Sequence, residues 1–133
     1  IIAGQSFGAK SPVTMVSPWL YTEVTAQAGV SVPLDPDHDE RAIYLVDGEI
    51  EIAGDRYEGP RLLIFRPGDR ITVKTSRPTR MMLLGGDALE GPRHIWWNFV
   101  SSSKERIEQA KADWKSGRFA LVPNEHEFIP LPE

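Results

Sequence analysis

The sequence predicts an all-β domain, a sandwich or small barrel, with one helix near its C-terminal end. Three observations predict it. Short apolar runs recur at close spacing, each bounded by turn residues. Gly and Pro are both frequent, at 11 each in 133 residues, which suits a turn-rich fold. Helical periodicity appears in one stretch only, after Ser101.

Taken in order, Ser17 to Val24 reads as a strand, and Ala28-Gly29 turns the chain into a second one, Val30 to Leu34. Asp35 to Asp39 is a polar loop. Arg41 to Val46 and Glu49 to Ala53 then read as a β-hairpin joined at Asp47-Gly48, a pair that favours a type I′ turn. After a turn at Gly54-Asp55 come the strands Leu62 to Phe65, Ile71 to Thr75 and Arg80 to Leu84. The turn Arg66-Pro67-Gly68-Asp69 separates the first two, and Gly85-Gly86 closes the last.

The helix is expected over 103–116. Ser102 as N-cap with Glu105 three residues on gives a capping box. Ile107, Ala110 and Trp114 recur on one face, and Gly117 is the C′ stop. Beyond it the chain is extended, and the tail 123–133 is apolar and Pro-rich, fit to lie against a surface. The opening Ile1-Ile2-Ala3-Gly4 has neither an initiating Met nor a leader pattern. It reads as a strand that continues from, or pairs with, something upstream, and an exposed strand of this kind would offer an edge for a homodimer.

Composition excludes several classes. The net charge is −4, from 19 acidic and 15 basic residues, so no basic surplus drives direct nucleic-acid binding. There is no Cys, which removes disulfides and thiolate metal sites and makes a reducing cytoplasm the default expectation. No apolar run approaches the ~18 residues of a membrane span. Neither a Gly-x-Ser-x-Gly elbow nor a phosphate-cradling Gly loop occurs.

The order of short strands with Gly29, Gly48 and Pro67-Gly68-Asp69 resembles the cupin superfamily. Counted back from Gly48, the spacing of the first cupin motif puts its glutamate at Arg41 and its two histidines among Leu34, Asp35, Pro36 and Asp37. The second motif puts its histidine at about Thr79 or Arg80. None of the usual metal donors stands at these positions.

A fuller resemblance runs over nearly the whole chain. Ile2-Ala3-Gly4, Ser11-Pro12-Val13, Pro18-x-Leu20-Tyr21, Ala42-x-Tyr44-x-Val46-x-Gly48-Glu49, Leu84-Gly85-Gly86, Gly91 to Val100 and Gly117-Arg118-Phe119 are similar to the C-terminal domain of the pirin family. This resemblance implies a jelly-roll barrel of two antiparallel sheets, 1–133, as one half of a two-cupin parent. It implies that the N-terminal cupin holds iron through three histidines and a glutamate, and that the C-terminal cupin holds none. Members of the family are assigned quercetin 2,3-dioxygenase activity or transcription-cofactor-like binding, both ascribed to the iron-bearing half. For this chain it implies a structural partner of an N-terminal cupin, with no catalytic residue and no metal of its own.

The candidate binding residues are Arg41, Arg80 and His38. If Arg41 and Arg80 both face the barrel mouth, they form an anion site. Otherwise they pair with Glu51, Asp69 or Asp87 and plug the mouth, the favoured reading, because an unpaired buried Arg is costly. His38 belongs to the acidic cluster Asp35, Asp37, Asp39 and Glu40. That cluster reads as a solvated loop, with an oxygen-ligand metal site as its competitor. His94 reads as packed beside aromatics and His126 as exposed. Trp96, Trp97, Phe99 and Trp114 read as core or interface anchors, with a flavonoid-like pocket as the competing reading.

Overall fold

The structure, a computed structural model, describes residues 1–34 and 36–132. Asp35 of the acidic cluster and Glu133 of the tail lie outside the described residues. The chain forms two compact units, Ile1–Ala88 and Leu89–Glu133.

The first unit opens with a small hairpin, β1 (Gln5–Ser6) and β2 (Ala9–Lys10). Phe7 and Gly8 turn it at φ 48° and 75°. Eight strands follow: β3 (Trp19–Ala26), β4 (Ser31–Pro33), β5 (Glu40–Asp47), β6 (Glu49–Ile52), β7 (Asp55–Glu58), β8 (Arg61–Phe65), β9 (Thr72–Thr75) and β10 (Thr79–Gly86). They form two antiparallel four-stranded sheets, in the orders β3-β10-β5-β8 and β4-β9-β6-β7. This alternation of strands between two sheets is the jelly roll.

Period-two burial makes the core. On β5, Arg41, Ile43 and Leu45 turn inward, and on β10 so do Thr79, Met81 and Leu83. Ile50, Val73, Val32 and Leu34 meet them from the other sheet and its edge. Thr75 ties the β3–β4 connection to this core. Its hydroxyl donates to Gln27 O and accepts from the Val30 N–H.

The expected hairpin at Asp47-Gly48 is not one. β5 pairs with β10 and β8, and β6 with β7 and β9. Asp47-Gly48 is the corner at which the chain leaves one sheet for the other. Gly48 has φ 104°, and a Cβ there would lie 2.5 Å from Thr79 Oγ1 and 2.8 Å from Pro78 O. The glycine therefore serves a close backbone approach. The type I′ turn lies one strand later, at Ala53-Gly54, with φ 52° and 92°, and joins β6 to β7, a strand the sequence reading missed.

Two further corrections concern strand ends. Gly85 and Gly86 belong to β10 and do not close it. Ile1 and Ile2 form no strand. The N–H groups of Ile2 and Ala3 donate to Tyr21 O, and Tyr21 N–H returns a bond to Ala3 O. The edge expected to be free at this point is thus partly engaged within the chain.

In the second unit, β11 (His94–Trp96) and β12 (Phe99–Ser101) form a hairpin, followed by α1 (Lys104–Lys115). The N-cap is Ser103, one residue later than expected; its hydroxyl accepts from Arg106 N–H at 3.3 Å. This shift places Arg106 at N3, so no capping box forms. Glu105 instead bonds the Ser103 hydroxyl, which together with the backbone holds its carboxyl below the usual carboxylate range. The helix ends as predicted at Gly117, φ 68°. Gly117 N–H bonds Trp114 O and Arg118 N–H bonds Asp113 O, a Schellman motif. At 12 residues, no helix of the described residues is long and apolar enough to cross a membrane.

Candidate functional site

The alternation that builds the core also carries Arg41 inward at the start of β5, where it is 2% exposed. One guanidinium nitrogen, Nη2, donates to Asp69 O at 2.7 Å and to Arg66 O at 3.2 Å. These are carbonyls of the Arg66-Pro67-Gly68-Asp69 turn, where Gly68 supplies φ 82°. Arg41 thus pins the turn through its backbone; the Asp69 carboxylate takes no part in these two bonds. Nε and Nη1 are buried and have no hydrogen-bond partner among the described residues.

His38 comes to the same end of the barrel. Its ring packs against Gly85, where a Cβ would stand 3.1 Å from His38 Cδ2. Gly85 is the cross-strand partner of Arg41, so both side chains border one glycine. His38 Nδ1 lies 3.7 Å from Asp87 Oδ1, beyond hydrogen-bond reach.

Arg80 is elsewhere. It lies on the outward face of β10, opposite Asp47 at the far end of β5, roughly 20 Å from Arg41 by strand rise. Its Nε donates to Glu23 Oε1 at 2.7 Å. Of the three candidate binding residues, Arg41 and His38 both neighbour Gly85 but line different clefts, and Arg80 lies apart.

The aromatics gather in the second unit. Trp114 stands 5.2 Å from Trp97 and 6.1 Å from Phe99, edge to face. Trp96 stacks on Phe99 at 6.3 Å, and Lys111 Nζ sits 4.4 Å over the Trp96 ring. Phe119 and Phe128, which the sequence reading did not place here, complete the cluster at 5.5 and 6.0 Å from Trp114. The Trp114 indole N–H donates to Ile129 O at 2.8 Å, so the tail lies along the helix. An apolar cavity of about 270 Å³ borders Trp114, Phe119 and Phe128 but not Trp96, Trp97 or Phe99. The rings pack mainly on one another. His94 is half-buried in a separate cleft with Ile107 and Lys111.

Among the described residues no group of three or more His, Cys, Asp and Glu is placed to hold a metal ion. The motif's carboxylate position is filled by the Arg41 guanidinium, a fixed positive charge.

Residues 21–120 match the Pirin C-terminal cupin domain. The chain belongs to the pirin family. A pirin-like protein of Caulobacter vibrioides is 48% identical over 134 residues, covering 100% of this chain and 46% of the relative. A candidate quercetin 2,3-dioxygenase of Pseudomonas aeruginosa is 30% identical, covering 90% of this chain and 42% of the relative. A crystal structure of quercetin 2,3-dioxygenase from Acinetobacter baumannii superposes with a TM-score of 0.82 at 22% identity, over 98% of this chain and 46% of that one; this likeness bears on the fold. The chain therefore spans about half the length of the curated relatives it matches, and its jelly roll is a cupin barrel.

Proposed function

We propose that this domain is the metal-free C-terminal cupin of a two-cupin pirin-like protein, and that its role is structural. It completes the body that supports an iron-binding N-terminal cupin and shapes the approach to that iron site. Any quercetin 2,3-dioxygenase-type activity then belongs to the N-terminal half. The observation that carries this reading is Arg41. A guanidinium buried where the cupin pattern puts its carboxylate ligand repels a cation and supplies no donor to it. The half-length coverage of the relatives supports the two-cupin part of the reading. Purified domain exposed to excess Fe(II) and desalted is expected to retain iron far below one equivalent and to leave quercetin unchanged in air. Stoichiometric iron, or quercetin consumption by the domain alone, sinks the reading.

The unpaired Nε and Nη1 of Arg41 favour a second reading, a small-anion site in the barrel. A buried guanidinium without a counter-ion costs several kcal/mol, and a carboxylate or phosphate would offset part of it through charge-assisted bonds. Titration with acetate and with inorganic phosphate is expected to shift the Arg41 Nε–H resonance saturably, and the R41M variant to lose the binding. A resonance that stays in place up to millimolar anion rules this site out.

A further inference from the structure

The cavity of about 270 Å³ beyond the end of α1 has walls that are apolar and acidic. Its three rings are Trp114 from the helix, Phe119 just past the helix end and Phe128 from the tail. Phe119 and Phe128 stand 5.5 and 6.0 Å from Trp114, and the bond from the Trp114 indole N–H to Ile129 O holds the tail in place. Phe119 stacks on Phe99 at an interplanar angle of 13°, and Phe128 on Trp114 at 27°. A stack uses one face of a ring, so each phenylalanine keeps a second face that no described ring covers. The charged residues at the cavity are Glu125 and Glu127; among the described residues that border it there is no Lys, Arg or His. The Glu125 carboxylate accepts the N–H groups of Glu127 and His126 at 2.9 and 2.8 Å. These bonds hold it below the usual carboxylate range. The Glu127 carboxylate has no hydrogen bond or ion pair among the described residues. Arg118, at the helix end, is paired with Asp113 at 3.2 Å and does not border the cavity. Gly117 brings the C-terminal end of α1 to the same space, and that end of a helix carries partial negative charge.

We propose that this cavity binds a small organic cation, one whose ammonium nitrogen carries methyl or other alkyl groups. Every wall favours positive charge. The face of an aromatic ring is the negative end of its quadrupole and attracts a cation within about 6 Å of its centre, and the two carboxylates and the helix end add the same sign. An anion would be repelled. A neutral ring system would fill the space but leave both carboxylates without a counter-charge. The lining also decides between cations. A hard metal ion takes about six to eight oxygen ligands, and among the described residues no group of three acidic or histidine side chains is placed to hold one. A bare ammonium is compact and strongly hydrated, and apolar walls return little for the water it sheds. Alkyl groups on the nitrogen resolve that conflict. They spread the charge and replace the hydration shell with apolar surface, which the rings and aliphatic side chains around the cavity cover. The site lies wholly within the unit Leu89–Glu133 and depends on neither an iron centre nor a second cupin.

Choline is the probe, and its control is the neutral isostere in which a tert-butyl group replaces the trimethylammonium. The intact protein is labelled at its tryptophan indoles, and the Trp114 indole N–H resonance is identified by its loss in W114F. That resonance is expected to shift saturably with choline, and the isostere to bind about tenfold more weakly or worse. F128L keeps the tail apolar but removes one ring face, and is expected to weaken choline binding by about 3- to 30-fold. E127Q alters an exposed side chain. It is expected to weaken choline binding several-fold while leaving the unfolding midpoint unchanged, which keeps the test valid if F128L loosens the tail. Absence of a saturable shift overturns the inference. Equal affinity for choline and the isostere also overturns it, since the cavity would then be an apolar pocket indifferent to charge. Choline binding that survives F128L and E127Q together places the cation elsewhere and overturns the assignment of the site.

Discussion

Gly48→Ala is expected to lower the unfolding free energy by about 2–5 kcal/mol, at its upper end near the limit of what a marginally stable domain tolerates. Two costs add. A Cβ-bearing residue held at φ 104° loses about 1–2 kcal/mol against the backbone conformation it prefers. The new Cβ would also stand 2.7 Å from Thr79 Cα and 2.8 Å from Pro78 O. These are backbone groups at the start of a central strand, and displacing them is an overpacking strain of about 1–3 kcal/mol. The displacement has little slack to draw on. Thr79 is 3% exposed and its hydroxyl donates to Arg77 O at 2.8 Å, while the Gly48 carbonyl itself accepts from Gly59 N–H at 3.1 Å.

Gly54→Ala is the control. Gly54 also has positive φ, at 92°, but nothing within 4 Å of the site a Cβ would take. It should cost only the conformational share, about 1–2 kcal/mol. Urea unfolding followed by far-UV circular dichroism compares the two. Equal effects would mean that the Thr79 approach relaxes freely and that the corner is no tighter than an ordinary turn.

The contrast between these glycines also shows what the sequence made legible. Alternation placed β5, β8, β9 and β10 within one or two residues, because each strand has one buried face and its pattern has period two. Partner choice was not legible in the same way. Asp47-Gly48 and Ala53-Gly54 are both turn dipeptides between apolar runs, and local chemistry favours the first as a hairpin. What decides is long-range: Thr79 and Pro78 occupy the space beside Gly48, some thirty residues on, and a window of a few residues carries no trace of them. The site divides along the same line. The inward direction of Arg41 follows from strand alternation, and so does the outward direction of Arg80. Their opposite faces could have been read by counting from Ile43 and Met81. The acceptors of Arg41 could not, since they are backbone carbonyls of a turn, and side-chain identity says nothing about where a carbonyl points. The acidic aromatic cavity was hidden for a related reason. Trp114, Phe119 and Phe128 lie on the helix, the segment after it and the tail, and only the return of the tail along the helix brings them round one space.

The second large effect is expected at Trp114. Trp114→Ala should destabilise the unit Leu89–Glu133 by about 2–3 kcal/mol, less than the roughly 3–5 kcal/mol of a fully buried aromatic because Trp114 is only half-buried. The position is a hub. It touches Trp97, Phe99, Phe119 and Phe128 within 6.1 Å between ring centres, and its indole N–H is bonded to Ile129 O. Trp97 gives the hub further weight. It holds φ 50° in the β11–β12 turn, a conformation a bulky side chain adopts only where its surroundings impose it, and the Trp114 ring is its nearest aromatic neighbour at 5.2 Å. Removing that ring takes away the contact that offsets the strain. It also frees the tail, which would lose both the Phe128 stack and the Ile129 bond. Hydrogen exchange is the fitting measurement, because it resolves the two units. Amides of α1 and of β12 are expected to lose protection while those of β5 and β10 keep theirs. Trp114→Phe separates the two contributions, retaining a ring and deleting only the hydrogen bond, for about 0.5–1.5 kcal/mol. If β10 loses protection together with α1, the two units unfold as one, and the aromatic cluster would then support the barrel as well as the helix.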